Sequence, residues 1–120
     1  MDKASFSMKA RIRSFKYAFN GISLIFRHHN AIIHLIAAGV VITMSLICGL
    51  NSTEWCIVLL CIGFVISAEG INTSIEYLAD IVSPEFDQRI KKVKDVAAAS
   101  VLISAIISFA IGLIIFLPKL

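Results

Sequence analysis

Five polar side chains within an otherwise apolar stretch of the sequence could carry out chemistry. Their spacing on a helix places them within an arc of about 100°, and they are Glu69, Asn72, Thr73, Glu76 and Asp80. Glu69 lies roughly 10 Å along such a helix from Glu76. A carboxylate at membrane depth costs at least roughly 2.5 kcal/mol to insert. This polar face therefore favours a functional site over the alternative, a hydrogen-bonded seam between helices.

The segment that follows adds groups that complement these acids. Ser83, Pro84 and Glu85 match an N-cap, a first-turn proline and a first-turn acid, so the sequence predicts a short amphipathic helix within residues 81–95. Lys94 lies at the end of this segment. Acids for a divalent cation and a lysine for a phosphate are what phosphoryl transfer needs. The sequence contains no P-loop and no kinase-type glycine loop, so any nucleotide must be held by another scaffold.

Three long apolar runs must position these residues. Residues 31–50 and 96–117 carry no formal charge, and residues 55–75 carry one, at Glu69. A helix needs roughly 20 such residues to span a bilayer, and only helices satisfy their own backbone in lipid at this length. With 58% hydrophobic and 16% charged residues, the chain resembles neither a soluble domain nor a disordered one. The sequence predicts a single-domain, all-α membrane protein over residues 1–120, without a cleaved signal peptide.

The basic residues are distributed unevenly around the three runs. Six lie before the first run, none lies in residues 51–54, and four lie between the second and third runs. The positive-inside rule therefore predicts that the N-terminus and residues 81–95 are cytoplasmic and that the C-terminus is outside. The formal net charge of +3 is too small and too segregated to indicate nucleic-acid binding. The three cysteines lack metal-type spacing and are expected to be packing residues.

A separate amphipathic pattern precedes the first run. Apolar residues recur at steps of three and four from Met8 to Phe26, and basic residues flank this narrow stripe. The pattern predicts a helix over residues 5–27 that lies in the membrane surface, where its lysines and arginines can reach lipid phosphates. The alternative, that this helix docks on the spanning helices, stays open, and both interpretations can hold.

The polar motif and the segment after it resemble the signature of a known family. Residues 69–76 read EGINTSIE, Asp80 follows, and residues 94–101 read KDVAAASV. This order and spacing are similar to the prokaryotic diacylglycerol kinase and undecaprenol kinase family, whose pattern is E-x-x-N-[ST]-[AS]-I-E-x-x-x-D followed by K-D-x-[AG]-[AS]-A-x-V. The resemblance covers nearly the whole chain. It implies a small kinase of the bacterial cytoplasmic (inner) membrane, built as a homotrimeric helical bundle with active sites shared between subunits.

The resemblance also implies roles for residues at matched positions. Glu69 resembles the catalytic base that takes the proton of the lipid hydroxyl, and a carboxylate removed from water is a stronger base. Glu76 resembles a magnesium ligand that brings in the ATP phosphates, and Lys94 resembles the residue that meets the terminal phosphates. The other implied ATP contacts are Tyr17, Glu85, Phe86, Asp87 and Asp95, and the implied substrate-binding or supporting residues are Asn72, Asn30 and His34.

One position departs from the family pattern. The family usually has a glutamate, a second metal ligand, at the start of an E-x-N-x-R-I-H stretch, and His28 stands at that position here. His28 is therefore either a metal ligand in place of the acid or an interfacial residue without a catalytic role. A shift of one residue would bring His29 into the site instead. Because magnesium prefers oxygen ligands, the change is expected to weaken magnesium binding.

Together these features predict ATP-dependent phosphorylation of a membrane lipid alcohol, with Mg²⁺ as cofactor and ATP as co-substrate. The lipid is undecaprenol or diacylglycerol, and His34 together with the Glu54-Trp55 opening of the second run favours undecaprenol. Two alternatives remain. A small proton-coupled multidrug-type transporter also carries an intramembrane glutamate, although such proteins have four spans. A catalytically degenerate family member would bind lipid or nucleotide without turnover.

Overall fold

The chain is entirely built from helices and their connections over residues 7–120, which are the residues that the computed structural model describes. The four α-helices are α1 (Met8–Ile25), α2 (His29–Cys48), α3 (Ser52–Val82) and α4 (Gln88–Phe116), and a 3-10 turn (Leu117–Lys119) follows. Three of them, α2, α3 and α4, are long and apolar enough to cross a membrane. The predicted all-α membrane protein with three spanning helices is thereby confirmed.

The predicted surface helix corresponds to α1, which ends two residues before the predicted end. Its predicted start at residues 5 and 6, and Lys3 of the basic N-terminal set, lie outside the described residues. The Ser7 hydroxyl oxygen caps α1 by accepting a hydrogen bond from the Ala10 N–H at 3.3 Å. None of the α1 residues is buried, and its apolar stripe is exposed, including Met8, Ile12, Phe15, Phe19 and Ile22.

Local hydrogen bonds build the turn between α2 and α3. Gly49 ends α2 with a φ of 67°, a left-handed conformation that glycine adopts without a steric penalty. Asn51 Oδ1 accepts from the Glu54 N–H at 2.9 Å, and Glu54 Oε1 accepts from the Asn51 N–H at 3.1 Å. This reciprocal capping box fixes the start of α3. Glu54 also pairs with Lys119 at 3.2 Å, which holds the end of the chain against this turn.

The second connection differs from the prediction. The apolar run ends at residue 75, but α3 continues through the polar positions as far as Val82. Ser83 is the C-cap of α3 and not the N-cap of a new helix, because its backbone N–H donates to the Ala79 carbonyl at 2.9 Å. Hydropathy marks where lipid contact ends, whereas backbone hydrogen bonds and caps decide where a helix ends.

The short helix expected within residues 81–95 is the first part of α4. Asp87 is the N-cap of α4, and its Oδ1 accepts from the Arg89 backbone N–H at 2.8 Å. The Arg89 guanidinium also bonds the same carboxylate at 2.9 Å. The side-chain hydrogen bond from Arg89, with the backbone bond beside it, lowers the pKa of Asp87 to about 2. The cap therefore stays charged throughout the neutral range.

The central helix of the fold is α3, which packs along α4 and also contacts α2 and α1. Near the Asn51 turn an apolar cluster closes this end of the bundle, and it consists of Leu50, Val58, Ile115 and Phe116. Further along α3, α1 approaches so closely that a Cβ at Gly70 would lie 2.9 Å from Ile25 Cδ1. The absence of a side chain at Gly70 therefore lets α1 lie against the helix that carries the polar face.

Substitution of Gly70 by valine is expected to push α1 away from α3. Overpacking of this kind typically lowers the free energy of unfolding by about 1–3 kcal/mol, and an SDS titration in detergent micelles would measure it. The matched control is Gly63→Val on the same helix, where an added Cβ meets nothing within 4 Å. Adding Ile25→Ala to Gly70→Val should recover most of the loss. Equal losses in the two valine variants would contradict a close contact at Gly70.

Candidate active site

The most deeply buried acid on the polar face of α3 is Glu69. Its side chain is 4% exposed, and its Oε2 lies 3.6 Å from Nε2 of His34 on α2, whose side chain is 21% exposed. Within residues 7–120, His34 is the one basic side chain with a nitrogen within 4.0 Å of the Glu69 carboxylate. A buried carboxylate with a single imidazole beside it is not neutralised by lysine or arginine. Glu69 can therefore accept a proton from a hydroxyl that reaches it.

Two neighbours extend this buried polar face. Asn72 and Thr73 follow Glu69 on α3 and are about as deeply buried. In the part of the chain that the structure describes, the side-chain oxygen Oδ1 of Asn72 is buried without a hydrogen-bond partner. An unsatisfied buried acceptor costs about 1–3 kcal/mol. Such an oxygen is suited to a ligand that brings a donor or a cation.

The polar face becomes more open towards the end of α3. Glu76 is half-buried, and the Asp80 side chain is 65% exposed. Asp80 Oδ1 accepts a hydrogen bond at 2.7 Å from Nζ of Lys94, across the α3–α4 connection. The structure thus brings Lys94 to the acids of α3, as the sequence indicated. Asp95 is directed differently, because it bonds Lys91 within α4 at 2.7 Å.

A second contact joins the start of α2 to this part of α3. His28 Nε2 lies 3.2 Å from the Tyr77 hydroxyl, and the two rings meet edge to face with their centroids 5.7 Å apart. Tyr77 is not among the site residues predicted from the sequence. Its position eight residues after Glu69 puts it at about 80° from Glu69 around the helix, at the margin of the polar face. This angle was the one feature of the sequence that could have indicated Tyr77 as a site residue, but an aromatic residue at such a position is equally typical of packing.

The other predicted residues are not brought into these contacts. Asp87 caps α4, as described above. Four of them are exposed: Tyr17 lies on α1, Asn30 lies at the start of α2, and Glu85 and Phe86 lie in the α3–α4 connection. Within residues 7–120, no hydrogen bond or ion pair joins them to the Glu69–His34 or Asp80–Lys94 pairs.

The donor set suits a magnesium ion only in part. Among the described residues, no three His, Cys, Asp or Glu side chains come together as a metal site. Glu76 and the unpaired Asn72 Oδ1 lie one turn apart and offer oxygen. Magnesium commonly takes one or two carboxylates and completes its shell with substrate phosphates and water. These two oxygen donors therefore fit a magnesium ion that arrives with phosphates, whereas the His28 ring is engaged by Tyr77.

A groove beside the polar face could admit part of a ligand. It lies between α1 and α3, measures about 340 Å³, and runs past Gly70, Thr73 and Tyr77. Small residues on both helices keep it open, namely Ala18, Gly21, Gly70 and Ser74. The groove follows the contact between the helix with the exposed apolar stripe and the helix that carries Glu69.

Known proteins resemble this chain over most of its length. The family model for prokaryotic diacylglycerol kinase matches residues 16–116. An undecaprenol kinase of Bacillus subtilis (strain 168) is 39% identical over 109 residues, which cover 90% of this chain and 89% of that protein. A diacylglycerol kinase of Synechocystis sp. is 32% identical over 109 residues, covering 89% of this chain and 62% of that protein. No solved structure matches the chain.

Proposed function

This chain belongs to the prokaryotic diacylglycerol kinase family and is a membrane-embedded lipid kinase, and we propose that it transfers the terminal phosphate of ATP to a lipid hydroxyl at the cytoplasmic surface of the bacterial inner membrane. Residues 1–120 form one catalytic domain in this proposal. The observation that carries it is the buried Glu69 on the helix whose open end brings Asp80 to Lys94. Neither the transporter nor the degenerate member is favoured by these relationships.

Glu69 acts as the base in the proposed reaction. Its carboxylate takes the proton of the lipid hydroxyl while the lipid oxygen forms a bond to the terminal phosphorus of ATP. The bond from that phosphorus to the bridging oxygen breaks, and ADP leaves. Asn72 lies about one turn away on the same face of α3, so its unpaired Oδ1 borders the same site. Burial of Glu69 supports this role, because it keeps water from competing with the lipid hydroxyl.

The nucleotide binds at the open end of α3 in the same proposal. Lys94 exchanges its bond to Asp80 for bonds to the terminal phosphates, where a lysine acts as a point charge. The exposed residues Tyr17, Glu85 and Phe86, with Asp87 and Asp95, form the remaining nucleotide contacts. Glu76 and Asn72 would hold magnesium, which supplies charge neutralisation on the phosphates. Asn30 and His34 support the substrate side of the site.

The lipid is proposed to be undecaprenol rather than diacylglycerol. The 39% identical relative is an undecaprenol kinase, whereas the diacylglycerol kinase relative is 32% identical. Phosphorylation rates for undecaprenol and diacylglycerol in mixed micelles test this choice. A higher kcat/KM for undecaprenol is expected, and a preference for diacylglycerol would contradict it.

The arrangement in the membrane is part of the proposal. The basic residues support a cytoplasmic N-terminus and a cytoplasmic α3–α4 connection, with the C-terminus outside. The exposed apolar stripe of α1 supports a helix lying in the membrane surface. No more than 28% of the most hydropathic stretch of any spanning helix is buried. That exposure leaves room for the proposed homotrimer, in which subunits share active sites.

Cysteine labelling is expected to place the two ends of the chain on opposite sides of the membrane. Lys9→Cys and Lys119→Cys would be compared in a background that lacks Cys48, Cys56 and Cys61. A membrane-impermeant maleimide should label position 119 in intact cells and position 9 only after lysis. Labelling of both on one side would contradict three spans. Crosslinking in detergent should stop at three subunits, and a pattern of monomers alone would contradict the trimer.

Magnesium dependence is expected to change when an acid is restored at position 28. The His28→Glu variant should need less magnesium for half-maximal rate than the unmodified chain, because carboxylate oxygen is the better ligand. Magnesium titrations of the unmodified chain, His28→Glu and His28→Ala provide the measurement. Three superimposable curves would show that position 28 lies outside the metal site.

A further inference from the structure

The imidazole of His34 is placed where it can bond and orient the Glu69 carboxylate. His34 reaches Glu69 from a different helix, α2, and its Nε2 is the nitrogen that faces the carboxylate at 3.6 Å. The ring also lines an apolar groove of about 350 Å³ between α2, α3 and α4, with neighbours such as Ala38, Val65 and Phe109. Water is poorly placed to bond the Glu69 carboxylate in these surroundings.

We propose that His34 is a positioning residue for the kinase reaction: its ring N–H donates to Glu69 Oε2 and keeps this carboxylate charged and aimed at the lipid hydroxyl. The inference deepens the proposed function and rests on the role of Glu69 as the base. His34 acts through Glu69 and does not touch the transferred phosphate. The chemistry assigned to it is one hydrogen bond to a carboxylate that must remain free of a proton until the lipid binds.

The physical reason is the cost of a charge in an apolar bundle. Burial favours the protonated form of a carboxylate, and a protonated Glu69 cannot accept the lipid proton. A donor that bonds the charged form opposes this effect. The gap of 3.6 Å is longer than a direct hydrogen bond, which is typically about 2.9 Å. Catalytic hydrogen bonds are often long before substrate binds and shorten in the complex.

No other element supplies an equivalent partner among the described residues. On α3 itself, Glu76 lies roughly 10 Å along the axis from Glu69. On α4, Lys94 is bonded to Asp80 at 2.7 Å. From α1, the contact at Gly70 is made by the apolar side chain of Ile25. Among these residues, His34 is thus the polar side chain placed to bond the Glu69 carboxylate.

The test compares the pH dependence of kcat for the unmodified chain, His34→Leu and His34→Gln at saturating ATP and lipid. Leucine fills the space without a donor, whereas the glutamine amide nitrogen reaches about as far as Nε2. His34→Leu should lower kcat about 10–100-fold near neutral pH, with the acid limb of the profile moved to higher pH and KM for ATP nearly unchanged. His34→Gln should recover most of the rate and the original acid limb.

Several outcomes would overturn the assignment. A His34→Leu profile parallel to that of the unmodified chain, or His34→Gln no better than His34→Leu, would leave His34 with a packing role. If His34→Leu is not obtained folded, His34→Asn supplies the contrast with His34→Gln, because its shorter amide does not reach Glu69. Ser45→Ala controls for loss of a buried polar group on α2, since the Ser45 hydroxyl donates to the Val41 carbonyl of the same helix.

The same experiment separates this inference from the proposed function. Substantial turnover by Glu69→Gln would show that Glu69 is not the base, and the proposed mechanism would then fail together with the role of His34. An inactive Glu69→Gln together with a His34→Leu variant of unchanged rate and pH profile would overturn the role of His34 alone. An inactive Glu69→Gln with the shifted profile in His34→Leu and its rescue in His34→Gln supports both.

Discussion

Replacement of Glu69 by glutamine is expected to reduce kcat by about 10²–10⁴-fold, the range typical for the loss of a general base. Glutamine has nearly the same shape as glutamate and keeps an oxygen towards His34, but it cannot take the lipid proton. The fold, ATP binding and the KM for ATP should therefore change little. Initial rates of phosphate transfer in mixed micelles, together with a nucleotide-binding measurement on the same preparation, would separate lost chemistry from lost binding.

The matched control is Glu54→Gln at the other end of α3. Glu54 belongs to the capping box and the ion pair with Lys119, so its loss should affect stability and not turnover. Near-normal turnover in Glu69→Gln would show that Glu69 takes no part in the chemistry and has a structural role. A large loss of ATP binding in Glu69→Gln would likewise contradict a residue that acts on the lipid hydroxyl alone.

Replacement of Lys94 by alanine is expected to weaken both ATP binding and the rate. Hydrogen bonds between charged partners contribute enough that their loss lowers kcat/KM for ATP about 10–100-fold. Lys94 now bonds Asp80 at 2.7 Å, so ATP phosphates must compete with that carboxylate for the ammonium group. The change should raise the KM for ATP while leaving the KM for lipid nearly constant. Steady-state kinetics with each substrate varied in turn provide the measurement.

Lys92→Ala controls for the loss of one positive charge near the membrane surface. Lys92 is exposed on the same helix, two residues from Lys94. If both alanine variants lose affinity for ATP equally, the effect is one of general charge and Lys94 has no special contact. Lys94→Arg should be intermediate, because the guanidinium keeps the charge but presents it in a different geometry.

The spanning helices were predictable because their composition alone distinguishes them. An apolar run of about 20 residues has few structural outcomes in lipid. The runs at 31–50, 55–75 and 96–117 coincide with α2, α3 and α4, except that residues 49–50 follow the end of α2 and Leu117 follows the end of α4. The polar face on α3 was predictable for a similar reason, since helical periodicity fixes which residues share a side. Glu69, Asn72 and Thr73 are accordingly buried together.

Helix ends and contacts between helices were less predictable. Ser83 carries an N-cap pattern, yet it ends α3, because Asp87 and Arg89 provide the better start for α4. The contact of His34 with Glu69 depends on the register between α2 and α3, which periodicity within either helix does not fix. The same holds for His28 and Tyr77. The residues of the polar face were therefore more predictable from the sequence than their partners on other helices.

The measurement that tests the central claim most directly follows the terminal phosphate of ATP into lipid. Purified protein in mixed micelles would be supplied with magnesium, undecaprenol or diacylglycerol, and ATP labelled at either the terminal or the first phosphate. The account predicts a lipid phosphate that carries the terminal label and never the first, formed by the unmodified chain and nearly absent with Glu69→Gln. Folded protein that yields no labelled lipid from either alcohol would contradict it.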